Sequence, residues 1–237
     1  MKNILNFLVL LCTSNFFSSQ NKIINANMQV IYSMDFKADS TISNTSNDIL
    51  ALYIGDKISV FQNEKKYKID SLIASQLYFQ NTSSKPLFKV NHVIYKDHRK
   101  SEMTYSEIIE NVNLGYNEKL PPMDWKLISE KKKILDYECS KAETFFGGRK
   151  FIAWYTNQIP INEGPYKFSG LPGLILEVSD DKNNFHYQLL AIIKKEQNIL
   201  YKNDVHLTEK KKLIETKMNL IKKITKSDVK VNPLEKK

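Results

Sequence analysis

The residues that could carry out chemistry in this chain are few, and their spacing forms no known catalytic pattern. Cys139 and His186 are a thiol and an imidazole that a sheet could bring together as nucleophile and base. That alternative needs an exposed thiol, whereas an unpaired cysteine is usually a small buried hydrophobic residue. Asp180–Asp181 and Glu209 fit a turn and a helix start better than a pair of catalytic acids. We therefore expect no catalytic residues and no enzymatic activity.

The four histidines give no indication of a metal site. They lie at positions 92, 98, 186 and 206. His92 and His98 are six residues apart, without a cysteine or carboxylate at the spacing typical of metal ligands. We interpret both as surface residues and expect neither a metal nor another cofactor.

One stretch, GPYKFSGLPG at residues 164–173, holds three of the 7 glycines and two of the 7 prolines. A phosphate-binding loop would continue with Lys and Ser or Thr at the start of a helix, but an apolar run follows here. A nucleophile elbow would need a glycine two residues before Ser169. An RNA-clamping G-x-x-G loop joins helices and favours basic central residues, which Leu171 and Pro172 are not. These glycines are therefore predicted to be architectural.

The same residues predict a tight turn. Pro172 fixes φ near −65° and Gly173 tolerates a positive φ, so Leu171–Leu174 fits a type II turn. Gly170 is predicted to let the backbone approach a neighbour closely. The turn would present Leu171 and begin a buried strand at Leu174.

Apolar periodicity predicts a strand-rich chain. The predicted features are a strand at Gln29–Lys37, hairpin turns at Gly55–Asp56, Gly147–Gly148 and Asp180–Asn184, a short helix at 70–78, and an amphipathic helix near 209–224. Together they predict a mainly β (α+β) fold. We expect a curved antiparallel sheet, a half-barrel-like meander, covered by one or two helices.

The chain begins with the features of an export signal. Lys2 precedes the apolar run Ile4–Leu11, and small and polar residues follow, so residues 1–19 are interpreted as a signal peptide. We expect a periplasmic or extracellular protein, soluble or peripheral to the outer membrane. Residues 20–193 would form a single β-rich domain, with a basic segment at 194–237.

The positive charge does not indicate a nucleic-acid partner. The formal net charge is +9, but only two residues are arginines, the side chain that nucleic-acid readers favour. From Lys194 onward, 13 lysines face 6 acidic residues, so most of the excess lies in the basic segment. This segment is predicted to contact anionic lipid headgroups or solvent.

A series of short motifs follows Trp125. The series comprises Tyr137–Ala142, Gly148–Arg149, Ala153–Thr156, Ile159–Ile161, Gly164–Pro165, Phe168 and Gly170–Ile175. Over residues 125–193 the chain resembles the GLPGLI family of exported bacterial proteins, named for the residues found here at Gly170–Ile175. The resemblance implies an envelope or secreted protein, and the biochemical role of the family is not established. The meander is also similar in outline to curved half-barrels that carry lipoproteins or lipids through a periplasm.

Two functions fit these observations. The candidate ligand-binding residues are Arg149, Trp154, Tyr155, Tyr166, Phe168 and Leu171, and a structural role is assigned to Cys139, Ile159, Pro160, Gly164, Pro165, Gly170, Pro172 and Gly173. The aromatic residues either close one end of the core or line an apolar cavity. Arg149 would bind a headgroup or carboxylate, or pair with Glu177 inside the fold.

The first hypothesis is a non-enzymatic envelope protein that binds a lipid or an apolar peptide, and an enclosed apolar cavity would favour it. The second is an interaction module that docks on a membrane or surface protein through the Pro-rich crossover or a sheet edge. A filled core with an exposed apolar patch would favour the second.

Overall fold

Alternation of apolar and polar residues along the chain produces strands, because successive side chains in a strand point to opposite faces. The computed structural model describes residues 22–39, 44–65, 90–201, 204–225 and 231–235. The predicted signal peptide at 1–19 and the predicted helix at 70–78 lie outside the described residues. The described elements are β1 (Lys22–Phe36), β2 (Ser46–Ile54), β3 (Ile58–Asn63), β4 (Val93–Asp97), β5 (Glu102–Ile109), β6 (Val112–Lys119), β7 (Lys126–Ile134), β8 (Tyr137–Phe146), β9 (Arg149–Thr156), β10 (Leu174–Asp180), β11 (Phe185–Tyr201), β12 (His206–Leu207) and α1 (Lys210–Thr225).

The strands form one open, curved sheet, which confirms the predicted mainly β fold. Within the described residues its order is β12-β6-β5-β4-β3-β2-β1-β11-β10-β9-β8-β7. Neighbouring strands are antiparallel, except that β12 runs parallel to β6. The hairpins β2–β3, β8–β9 and β10–β11 turn at the three predicted places.

Strand β1 lies in the middle of the sheet and contributes to its curvature. It pairs with β2 on one side and with β11 on the other. Its register with β11 shifts between Ala26 and Met28 and again between Ile31 and Tyr32. Such bulges bend a strand and increase its twist, so the sheet curves at this point.

The last part of the chain is organised differently from the prediction. β11 continues to Tyr201 and pairs with the start of β1, so the sheet extends eight residues beyond the predicted domain end at residue 193. The helix predicted near 209–224 is α1, and its Leu213 is buried in the core. No helix among the described residues is both long and apolar enough to cross a membrane.

The sheet carries an apolar core on each face. Phe61 and Ile94 belong to the larger core, whereas their neighbours Val60 and Tyr95 belong to the smaller one. Leu213 of α1 packs into the larger core. We call the face with the larger core the inner face and the opposite face the outer face.

Candidate functional site

The crossover between β9 and β10, residues 157–173, contains three of the six candidate ligand-binding residues and seven of the eight residues assigned a structural role. It folds back along β10, because the N–H groups of Leu174 and Ile175 donate to the carbonyls of Ile159 (3.0 Å) and Glu163 (2.9 Å). Gly164 permits this close packing, since a Cβ there would lie 2.8 Å from the Cβ of Ile175. The crossover is therefore a fixed part of the sheet rather than a loose loop.

The turn at the end of the crossover differs from the predicted type II turn. Gly170 adopts the positive φ, +97°, whereas Gly173 does not. The N–H of Gly173 donates to the carbonyl of Leu171 at 2.8 Å, which closes a three-residue turn around Pro172. A Cβ on Gly173 would lie 2.1 Å from the carbonyl oxygen of Thr156. The predicted roles of the two glycines are thus exchanged, because pairing of Leu174 with Thr156 presses Gly173 against β9.

The predicted aromatic series is divided between the two faces. Tyr155, Tyr166, Phe168 and Leu171 are buried on the inner face. The ring of Phe168 lies 4.8 Å from that of Phe151, and the rings of Phe146, Tyr166 and Trp125 surround it at 5.9, 6.2 and 6.4 Å. These side chains fill the core. Leu171, which the predicted turn would present as a ligand-binding residue, is only 1% exposed.

Trp154 points to the opposite face of β9 and packs against the margin of the larger core. It pairs with Glu177 across the β9–β10 register, and the ammonium of Lys132 lies 4.5 Å above its ring. Lys132 also donates to Glu177 at 2.7 Å. The half-buried indole on the outer face is thus already in contact with a cation of the protein.

Arg149 is almost fully buried, and its guanidinium is bound within the protein. It pairs with Asp180 at 3.0 Å and donates to the carbonyl of Pro233 at 2.8 and 3.1 Å. The predicted pairing with Glu177 is wrong. Because alternate residues of β9 face opposite sides, Arg149 lies on the inner face and the Glu177–Trp154 pair on the outer one.

Cys139 and His186 are not brought together. β9 and β10 lie between their strands, which corresponds to a separation of about 14 Å at the usual strand spacing. Cys139 is 1% exposed, and burial raises the pKa of its thiol to about 11, so the reactive thiolate is scarce at neutral pH. His186 lies 3.3 Å from Glu177.

The prediction that His92 and His98 are surface residues is wrong for His92. Its Nε2 is shielded from solvent and has no hydrogen-bond partner among the described residues. Burial, together with the charges of Lys217 and Lys167, lowers the pKa of His92 to about 3. No group of three or more metal-ligating side chains occurs in the described part of the chain.

The structure contains two buried ionic clusters that the sequence does not indicate. In the first, the Glu163 carboxylate accepts from Lys96 (2.7 Å) and Ser59 (2.5 Å) and contacts His98 (2.5 Å). Burial alone would raise the pKa of Glu163, but Lys96 and His98 lower it to about 2. The cluster ties the crossover to β3 and β4. Its members come from separate segments, so no spacing in the sequence indicates it.

The second cluster surrounds Lys167, which is fully buried. Its ammonium contacts Glu118 at 2.6 Å, Glu235 at 2.7 Å and the hydroxyl of Tyr116 at 3.0 Å. The rings of Tyr105, Tyr116 and Tyr166 lie 5.3–5.7 Å from the same ammonium. Tyr166 has a φ of +55°, which is uncommon for a bulky residue and is held by these contacts.

The surface beside the Pro-rich turn forms an open groove of about 540 Å³. Residues 123–127 form one wall and residues 170–172 the other. The indole N–H of Trp125 donates to the carbonyl of Ser169 at 2.7 Å and joins the two walls. Leu127, which is 59% exposed, belongs to both the groove and the start of β7. Within the described residues, no strand pairs with the outer edge of β7.

Residues 147–177 match a family of unknown function. The matching family model is described as "Protein of unknown function (Porph_ging)". The matched region of this chain includes Arg149, Lys167 and the turn at Gly170–Gly173. No curated protein matches the chain.

Solved structures of PNGF-II share the fold. The structure in the P21 space group has a TM-score of 0.56 and 17% identity, with 82% of this chain and 34% of that chain covered. The structure in the C2 space group has a TM-score of 0.54 and 16% identity, with 81% and 33% covered. This chain therefore spans about a third of the length of those proteins. At this level of identity the likeness concerns the β-rich fold alone.

Proposed function

We propose that this chain is an exported envelope protein of the GLPGLI family and a non-enzymatic binder of an apolar peptide segment. Export is supported by the leader-like residues 1–19, and the family by the motif Gly170–Ile175, which lies inside the matched region 147–177. The binding site in this proposal is the groove beside the turn. The proposal requires neither a metal nor a cofactor.

The groove lies at the end of β7, whose outer edge pairs with no strand in the described part of the chain, and this observation carries the proposal. Met123, Trp125, Leu127 and Pro172 supply apolar surface, and a hydrogen bond joins the two walls. An extended peptide can add to a free strand edge through its backbone and place alternate side chains in adjacent pockets. Here the edge is that of β7, and Leu127 is the residue that joins edge and groove.

A peptide fits this site better than an acyl chain does. The buried aromatic residues that could have enclosed a lipid fill the core around Phe168. The groove is open on one side and carries Asp124 and Lys126 beside its apolar residues. An open groove lined about equally by polar and apolar surface suits a peptide backbone with a few apolar side chains.

Selection from a phage-displayed peptide library tests the proposal. We expect enrichment of peptides with apolar residues on the purified protein, and loss of their binding in the Leu127→Asp variant. Leu135→Asp is the matched control, because Leu135 is 57% exposed, follows the other end of β7 and does not line the groove. No enrichment, or binding that survives Leu127→Asp, would contradict the groove as the site.

Native mass spectrometry distinguishes a lipid-binding protein from a peptide-binding one. The protein is purified gently from the envelope fraction and weighed before and after organic extraction. A mass lost on extraction would identify a carried lipid and overturn the peptide proposal. An unchanged mass agrees with the peptide proposal.

A further inference from the structure

A short extended segment, Val231–Glu235, lies against the inner face and is called the strap here. Val231 forms an antiparallel bridge with Asp39. The backbone N–H of Asn232 donates to the carbonyl of Ala38 at 3.0 Å, and its side-chain amide donates to that of Lys37 at 2.9 Å. These contacts are of the kind by which extended peptides are recognised, through the backbone and through chosen side chains.

The first anchor of the strap is Arg149. Two of its nitrogens donate to the carbonyl of Pro233, and one also donates to the side-chain oxygen of Asn232. Arg149 keeps its ion pair with Asp180 at the same time, and Asp180 accepts from the backbone N–H of Phe185 at 3.0 Å. Strands β9, β10 and β11 therefore hold this anchor in position independently of the strap.

The second anchor holds the carboxylate of Glu235. Lys167 and Lys210 contact it at 2.7 Å each, and the hydroxyl of Tyr166 donates to it at 2.5 Å. Burial would raise the pKa of Glu235, but Lys167 and Lys210 hold it below its usual range. Lys167 also retains Glu118, so its ammonium would keep a counter-charge if the strap left.

We infer that Arg149, Tyr166, Lys167 and Lys210 form a recognition site for an extended segment with an Asn-Pro pair and a carboxylate two residues after the proline. The strap fills this site within its own chain, and the strap of a second copy can replace it. Arg149 keeps Asp180 when the strap is released, and Lys167 and Lys210 share Glu118, so the released site carries one excess positive charge that favours a segment with a carboxylate. The site shares no residue with the groove at 123–127 and 170–172, and it does not depend on the proposed function.

The test uses the full-length chain with a weakened strap. In Asn232→Ala/Glu235→Gln the anchoring groups of the strap are removed and the receptor residues remain. The probe is a fluorescein-labelled peptide, capped at both ends, with the sequence KVNPLEK of residues 230–236, and the readout is fluorescence anisotropy. We expect the variant to bind the probe at least 10-fold more tightly than the wild type does, because a tethered strap competes at roughly millimolar effective concentration.

The control probe carries alanine for the asparagine and glutamine for the glutamate, and we expect it to bind at least 10-fold more weakly. Absence of probe binding to a folded variant, or equal binding of the two probes, would overturn the inference. If the variant does not fold, hydrogen exchange in the wild type decides. The amide of Asn232 should then exchange at least 10-fold faster than the amides of the β1–β11 pair, because the strap opens locally. Exchange at the rate of the β1–β11 amides would show that the strap is not released and would overturn the inference.

Discussion

Replacing Gly173 by alanine should destabilise the protein through a clash with backbone. The new Cβ would lie 2.1 Å from the carbonyl oxygen of Thr156, whereas real Cβ contacts are essentially never under 3.0 Å. The turn at Gly173 and the end of β9 must therefore separate by about 0.9 Å. Separation is resisted because Leu174 pairs with Thr156 and donates to the carbonyl of Ile159 at 3.0 Å. Overpacking costs about 1–3 kcal/mol and a weakened hydrogen bond about 1 kcal/mol. We therefore expect a loss of about 2–4 kcal/mol.

Urea unfolding followed by tryptophan fluorescence measures this loss of stability. The melting temperature should fall by roughly 5–15 °C. Gly170→Ala is the matched control, because a Cβ there meets only the Trp125 ring at 3.4 Å and the cost is the strain of φ +97°. That strain is worth about 1–2 kcal/mol. If the free energy of unfolding of Gly173→Ala lies within about 0.5 kcal/mol of the wild-type value, the close approach of β9 to the turn is refuted.

Three further predictions concern the core and its ionic clusters. Glu163→Gln should cost about 3–5 kcal/mol in chemical unfolding, because Lys96 stays buried without its counter-charge. In the wild type, the depressed pKa of Glu163 stabilises the fold above about pH 4.5, and this contribution of roughly 3 kcal/mol is lost as the pH falls towards 2. If the stability of the glutamine variant falls equally steeply between pH 4.5 and 2, Glu163 is not the source of this pH dependence. Phe168→Ala should cost about 3–5 kcal/mol in urea unfolding, whereas Phe145→Ala, at a position 75% exposed, should change stability by less than about 0.5 kcal/mol. Cys139 should react with a thiol reagent only as fast as the protein unfolds, and rapid labelling of the folded chain would contradict its burial.

The strands and hairpins could be predicted because their signals are local. Alternating apolar residues and the turn residues at Gly147–Gly148 act over a few positions, and the hairpin appears where they indicate it. The roles of Gly170 and Gly173 could not be assigned, because they depend on how β10 pairs with β9. Both glycines are compatible with either role when considered in isolation.

The ionic clusters could not be predicted from the sequence for a similar reason. Lys96 and Lys167 look like ordinary surface lysines, and their burial becomes favourable only when Glu163 and Glu235 arrive from distant segments. The position of His92 among the rings of Phe61, Tyr105 and Tyr166 likewise depends on distant segments. A lone polar residue in a sequence shows its type, but its neighbours are set by the sheet order.

The central pairing of β1 with β11 divides the sheet into two groups of local hairpins. Ile31 lies opposite Ala191, so this pairing joins residues 160 positions apart, whereas β2–β6 and β7–β10 pair largely with their neighbours along the chain. Long-range pairing of this kind is slow, because the entropy of closing the loop must be lost first. A chain emerging from its N-terminus can pair β1 with β2 early, but it lacks β11, the second partner of β1, until residue 201 is available. Changes in β1 or β11 that weaken a contact already formed in the transition state should therefore slow folding, whereas changes in the outer hairpins should mainly speed unfolding.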